Sequence, residues 1–320
     1  MEADKQWTTG QQELRFAACS GSRLIDMALG QQQVTKTGTP RVLIMTAGGN
    51  NAGFFNVALN CFYQYEPGVD YGGEFPEPGR CADAINGAKD YINGPFAQDL
   101  INTYSDIFHF YEDQGHDMDL YQTGYAHFFN VNDNWCSQES FGIIPTGLPS
   151  PLPAGNQPKL SVALREAVND LTEQLNYKIE ITVASFEDSL KASQVDRDSV
   201  FHVKYIPITA GFDGHRFCED NHSKVDNYLS GDVWFWNVSP PGIGATADNA
   251  VADQLPGNFD GTYTETPHLL DFSEESLSDP SVISFGWQLR PFHPKYAGHT
   301  VIKDAIVARL RADGISGVIG

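Results

Sequence analysis

Apolar positions along the 320-residue chain fall either in short continuous runs or at helical spacing. Residues 14–19 (LRFAAC) form one run that stops at Ser20-Gly-Ser, and residues 41–47 (RVLIMTA) form a stronger one that stops at Gly48-Gly49. Runs this short, ended by glycine, predict buried strands. Residues 51–65 turn helical, with Phe54, Phe55, Val57, Ala58, Leu59 and Phe62 as the apolar face. After a Gly/Pro-rich acidic loop over 66–80, a second helical stretch runs to about Tyr111. Residues 120–130 (LYQTGYAHFFN) read as an aromatic strand and residues 145–158 as a proline-rich connector. Leu160, Leu164, Val168, Leu171 and Leu175 then repeat at four, four, three and four, which is the strongest helical signal in the chain. Residues 200–209 (VFHVKYIPIT) predict a further strand. Residues 300–312 predict a last helix, with Ile302, Ala305, Ile306 and Leu310 on one face and Gly314 as its C-cap.

Strands alternating with helices predict an α/β fold, a parallel sheet covered on both faces. Residues 212–289 differ, being rich in Gly, Pro, Asp and aromatics with little periodicity. A loop of that length inside a compact domain points to a functional excursion, so residues 1–320 read as one domain. Composition then narrows the function. With 20 Lys+Arg against 41 Asp+Glu and a net charge of -21, the chain lacks the basic face that a nucleic-acid partner needs. No apolar run approaches a membrane span, and the first residues, Met1-Glu-Ala-Asp-Lys, carry no signal-peptide core. Five cysteines (Cys19, Cys61, Cys81, Cys136 and Cys218) fit a disulfide-bonded secreted protein better than a cytosolic one, with inert buried thiols as the alternative. The sequons Asn221-His-Ser and Asn237-Val-Ser point the same way, although Pro240 follows the second. No cysteine or histidine spacing suggests zinc, and neither a metal nor a cofactor is expected.

Three segments carry candidate chemistry: Ala18-Cys-Ser-Gly-Ser, Thr46-Ala-Gly-Gly-Asn-Asn, and Arg290-Pro-Phe-His-Pro-Lys-Tyr-Ala-Gly-His before the last helix. Ligands of open α/β sheets sit beyond the carboxyl ends of the strands, where all three can converge. Gly21 lets the backbone present an N–H closely, Asn50 offers a side-chain amide donor, and His293 is held by the fixed φ of Pro294. Two donors and a histidine base are the non-nucleophile half of an acyl-transfer site. Alone, Gly21 reads as a turn glycine, Asn50 as a helix N-cap and His293 or His299 as a packed or capping histidine.

In order, ACSG, GGN and HP…GH resemble blocks II, III and V of the SGNH/GDSL-type hydrolases, particularly the secreted esterase/lipase branch. The flanking GGNNAGFFNVALNC, TGYAHFFN, FDGHRFC and RPFHPKYAGHTVIKDAI extend the resemblance over nearly the whole chain. It implies a three-layer α/β/α flavodoxin-like fold and hydrolysis of carboxylic esters. Gly21 and Asn50 would form the oxyanion hole and His293 would act as base. Asn51 stands where the family has Asp, which alters local hydrogen bonding. Arg290 stands where an Asp usually orients the histidine, and an Arg cannot accept the imidazole proton. A main-chain carbonyl at or near Arg290 is then expected to do so.

The family's first block, Gly-Asp-Ser, has no counterpart here: residues 1–17 contain no serine. Ser20 and Ser22 lie within the second block, where a nucleophile would displace the oxyanion donor. Loss of the nucleophile costs about 10⁶ in turnover, so the chain as written is expected to be inactive. The resemblance also implies that Cys19 has lost its partner and that the other cysteines pair as Cys61–Cys81 and Cys136–Cys218. Serine, cysteine partner and signal peptide would all vanish with one N-terminal truncation of an extracellular protein. The first central strand would go with them, leaving a gap between residues 14–19 and 41–47. The expected ligand is a small-molecule, lipid or glycan ester bound by a monomer, its pocket shaped by aromatics such as Tyr125, Phe128, Trp234 and Trp236. A non-catalytic lipid- or carbohydrate-binding relative is the alternative. A metal hydrolase built on Asp213, His215 and Glu219, or on His116 and Asp119, matches no ligand spacing.

Overall fold

The computed structural model describes residues 15–19, 21–30, 32–63, 79–112, 114–140, 159–193, 200–223, 227, 231–235, 292–315 and 317. Ser20, Trp236, Arg290, the 145–158 connector and most of the 212–289 excursion lie outside the described residues. Three strands, β1 (Val42–Met45), β2 (Met118–Thr123) and β3 (Phe201–Ile206), pair in parallel in the order β1-β2-β3. The helices are α1 (Leu24–Ala28), α2 (Phe54–Ala58), α3 (Arg80–Asn93), α4 (Phe96–Glu112), α5 (Val162–Ser193) and α6 (Tyr296–Ala312). Helix α2 continues as a π-helical turn over Leu59–Tyr63.

The sheet is sandwiched. Phe108 of α4 stacks on Phe201 with ring centroids 4.9 Å apart, while Lys204 pairs with Asp313 at the end of α6, 3.2 Å away. Residues three apart on a strand face opposite ways, so α4 and α6 cover opposite faces. Every residue of β2 is buried, as the central strand of such a sandwich must be. Tyr121 reaches across to Asp313 as well, at 3.0 Å.

The two edges of the sheet are treated differently. On β3 the outward Val203 N–H donates to Glu187 of α5 at 2.8 Å, so a helix side chain covers that edge. On β1 only Met45 is fully buried, and among the described residues no strand lies along its far side. Residues 15–19, expected as a buried strand, are irregular, and Phe16 is 83% exposed. Among the described residues no ladder pairs with them, and the Cys19 carbonyl accepts from Ser22 instead.

Residues 120–130 depart from expectation in another way. The strand ends at Thr123, yet the chain beyond it is buried. Its backbone is satisfied by side chains of α5 running in the opposite direction. Asn176 accepts from Tyr125 N–H at 2.7 Å and donates to Tyr125 C=O at 2.8 Å. Asn169 treats Phe129 the same way, at 3.3 and 2.7 Å. Arg165, fully buried, donates to the carbonyls of Leu160 (2.9 Å), Asp133 (2.6 Å) and Asn130. Each asparagine amide thus does for one residue what a neighbouring strand would do. The opposite edge of the segment pairs with Phe217, through Phe217 N to Phe128 O at 2.9 Å and Asn130 N to Phe217 O at 2.8 Å.

Disulfides join Cys61 to Cys81 and Cys136 to Cys218, closing separations of 20 and 82 residues, and Cys19 is a free thiol. In the chain-entropy account such loops stabilise by about 3 and about 4.5 kcal/mol.

Two outcomes are expected. Arg165→Met leaves three carbonyls without their donor, two of them buried contacts worth about 1–3 kcal/mol each, so the unfolding free energy from urea titration should fall by about 2 kcal/mol or more. Burial opposes ionisation of Asp313, but hydrogen bonds from Arg309, Tyr121 and Lys204 outweigh it and hold the carboxyl below its ordinary value. Its contribution is fully present above the unfolded value near 4 and is lost as pH falls through the depressed folded one. Asp313→Asn should therefore flatten that part of the acid limb in a plot of stability against pH.

Candidate active site

The site begins at the carboxyl end of β1. Immediately after it, Gly48 takes φ +115°, and a Cβ there would meet the Phe96 ring at 2.7 Å. Gly49 lies flat on Tyr125, donating its N–H to the phenol oxygen at 2.9 Å, and a Cβ there would sit 3.2 Å from that ring. Both glycines are required by close approach rather than by looseness. Tyr125 is itself gripped at its backbone by Asn176, so the floor of the loop is tied to α5. Burial pushes the Tyr125 phenol up to about 12, and it stays neutral.

Asn50 is not a helix cap. Helix α2 is entered through Gly53, and the Asn50 amide instead donates to the Ser22 carbonyl at 2.9 Å. That bond joins the second segment to the first. Ser22 N–H and O–H both donate to the Cys19 carbonyl, at 3.4 and 2.9 Å. Gly21, just before Ser22, takes φ +71°, where a side chain would be strained. Among the described residues the Gly21 N–H donates to nothing, and open space surrounds its Cα. Ser22 Oγ is engaged twice, donating to Cys19 O and accepting from the buried Gln33 amide at 2.6 Å.

Asn51 supplies a second clamp. Its oxygen accepts from Leu24 N–H at 2.8 Å, satisfying a donor at the start of α1, and its nitrogen donates to Tyr91 OH at 3.3 Å. Tyr91 donates its own O–H to Asp99 at 2.5 Å. Burial, then the Asp99 hydrogen bond, push the Tyr91 phenol up to about 12. An aspartate at 51 would need the same hydroxyl proton that Tyr91 already donates to Asp99, so the amide matches this chain of donors.

The third segment reaches the same region through packing. Phe292 is buried against Phe54, Phe62 and Phe128, with centroids 5.2, 5.3 and 5.2 Å apart. It therefore fixes the turn carrying His293 on α2, which begins four residues after Asn50. Lys295 N–H donates to Trp234 O at 2.7 Å, and Pro294 bridges to Phe235. Gly21, Asn50 and His293 are all exposed, hence open to a ligand. His299 is held below the ordinary histidine value by burial and then by the charge of His293.

The other candidates are committed elsewhere. Phe128 is a core residue, and Trp234 stacks on His215 at 3.5 Å. Glu219 is held by Arg216 at 2.8 Å and Asn130 at 3.0 Å, and Asp213 by Arg216 at 3.2 Å. Asp119 pairs with Arg41, and His116 with the Pro40 carbonyl at 3.0 Å. Among the described residues no group of three His, Cys, Asp or Glu side chains is placed to hold a metal ion. Within the same residues no helix is long and apolar enough to cross a membrane. Sequence reasoning named Tyr125 only as a pocket-shaping aromatic, not as the acceptor of Gly49 N–H, and missed Tyr91, Asp99 and Asn176. The one available signal was a polar stripe, Arg165, Asn169, Thr172 and Asn176, at helical spacing beside the apolar face of α5.

No family model and no curated protein matches the chain. Among solved structures it is similar to an extracellular lipase from Streptomyces rimosus, at 20% identity and a TM-score of 0.43, covering 71% of this chain and 69% of that one. It is also similar to a phospholipase A1 from Streptomyces albidoflavus, at 22% identity and a TM-score of 0.44, covering 71% of this chain and 70% of that one.

The donor chain through Tyr91 has a definite direction, which a double-mutant cycle reads. Asn51→Asp alone should destabilise by about 1–3 kcal/mol, because one hydroxyl proton then faces two carboxylates. Adding Asp99→Asn reverses the chain and should recover most of the loss, measured as a coupling free energy in urea unfolding.

Proposed function

We propose that this chain carries the acyl-binding half of a serine ester hydrolase of the lipase/esterase type. In this reading the Gly21 N–H and the free amide proton of Asn50 receive the oxyanion of a tetrahedral intermediate, and His293 is the general base. The observation that carries it is the Asn50–Ser22 hydrogen bond of 2.9 Å, which uses one amide proton and holds the other beside the Gly21 turn. Donors fixed before the reaction stabilise developing negative charge without reorganising.

The nucleophile is a separate matter. Residues 1–17 contain no serine, and Ser22 Oγ is hydrogen-bonded on both sides. The 320 residues then bind an ester without turning it over, which is also what a non-catalytic lipid- or carbohydrate-binding relative would do. The proposed ligand is a lipid or small-molecule ester met outside the cell by a monomer. Two disulfides support an oxidising compartment, and the charge of -21 opposes a nucleic-acid partner.

Hydrolysis of p-nitrophenyl acyl esters tests this reading in two chains, the present one and one carrying an added upstream strand that ends in Gly-Asp-Ser. The first should match buffer alone and the second should turn over. In the second, Asn50→Ala should lower kcat by about 10²–10³ and His293→Ala by about 10⁶, with His299→Ala near neutral. Turnover indifferent to Asn50 and His293 would overturn the cradle. Turnover by the first chain that Ser20→Ala abolishes would overturn the nucleophile assignment.

A further inference from the structure

The sequon Asn221-His-Ser plays no part in the proposed ester chemistry, and its setting is specific. It follows Cys218 of the Cys136–Cys218 disulfide and lies on a tight turn, closed by His222 N–H on the Glu219 carbonyl at 3.2 Å. The turn is anchored on its inner side. Glu219 is buried against Arg216 and Asn130, and Asp220 accepts from the Asn130 amide at 3.0 Å. Asn221 occupies the third position at φ +65°, exposed, and its side chain makes no hydrogen bond among the described residues. Asparagine and glycine are the residues that tolerate this conformation. The turn accounts for the conformation at 221, and Ser223, which completes the acceptor triplet, lies just beyond it and is also exposed.

We propose that Asn221 is the acceptor of an N-linked glycan, added in the secretory compartment where both disulfides form. The co-reactant is a lipid-linked oligosaccharide diphosphate. The Asn221 amide nitrogen bonds to C1 of the first sugar, the C1–oxygen bond to the diphosphate breaks, and the carrier diphosphate leaves with that electron pair. The displaced amide proton goes to the transferase's base, and nothing is oxidised or reduced. The glycan projects from a turn whose inward side chains hold it to the disulfide. The assignment is independent of the ester-hydrolase reading and stands or falls without it.

The test directs the full 320-residue chain into the endoplasmic reticulum of a eukaryotic host and analyses retained and secreted material alike. The tryptic peptide 217–224 should carry a glycan, which peptide N-glycosidase removes while converting Asn221 to Asp. Ser223→Ala should abolish the modification, and so should Asn221→Gly, a substitution that keeps the left-handed turn and so the fold. Asn237→Gln should leave it unchanged. An unmodified peptide 217–224 from a chain with both disulfides formed would overturn the proposal. So would a glycan that persists in Asn221→Gly and disappears in Asn237→Gln.

Discussion

The architecture around the candidate site depends on one problem of hydrogen-bond satisfaction. The chain leaving β2 at Thr123 stays largely buried, yet among the described residues no strand pairs with it on one side. Orphaned backbone groups there would each cost about 1–3 kcal/mol. Helix α5 meets that cost with Asn176, Asn169 and Arg165, spaced seven and four residues apart so that they lie on one face. Phe217 closes the other side of the segment, and the Cys136–Cys218 bond keeps Phe217 there. Remove the α5 stripe and Tyr125 loses its seat. Gly49 then loses the phenol on which it lies.

The candidate site inherits its rigidity from this arrangement. The loop after β1 is pinned from below by Tyr125, from the side by the Asn51–Tyr91–Asp99 chain, and from above by the Asn50 bond to Ser22. None of these contacts is a salt bridge. Only the Tyr91–Asp99 bond ends on a charged group, and the others join neutral donors and acceptors, which salt does not screen. His293 arrives by a different route, through an aromatic cluster centred on Phe292. The candidate residues are therefore held by two frameworks, one polar and one apolar.

Much of this was readable in the residues. Continuous apolar runs located β1 and β3, and the repeat from Leu160 to Leu175 located the core of α5, although the helix runs on to Ser193. The disulfide partners implied by the family resemblance are those that pair. The failures share a cause. Residues 15–19 have the apolar character of a strand, but a strand exists only where another lies beside it. Residues 124–130 have the pattern too, but their hydrogen bonds go to amide side chains that periodicity does not register. Helix α1 is a single turn, too short to leave a repeat, and it takes a donor's partner from Asn51, 27 residues away. Tertiary partners, not local preference, decided each case.

The C-terminal helix follows a different rule from the loop after β1. Its far end is secured by one carboxylate, Asp313, shared among Arg309, Tyr121 and Lys204. Acidification discharges that group while leaving the asparagine and tyrosine contacts under Asn50 in place. The two sides of the candidate site are thus expected to fail in sequence. The helix that begins beside His293 should loosen from its distal end while the hydrogen bonds of Gly49 and Asn50 persist. Because the Asp313 carboxyl is held below its ordinary value, this loosening belongs to strongly acidic solution, beneath the usual carboxylate range.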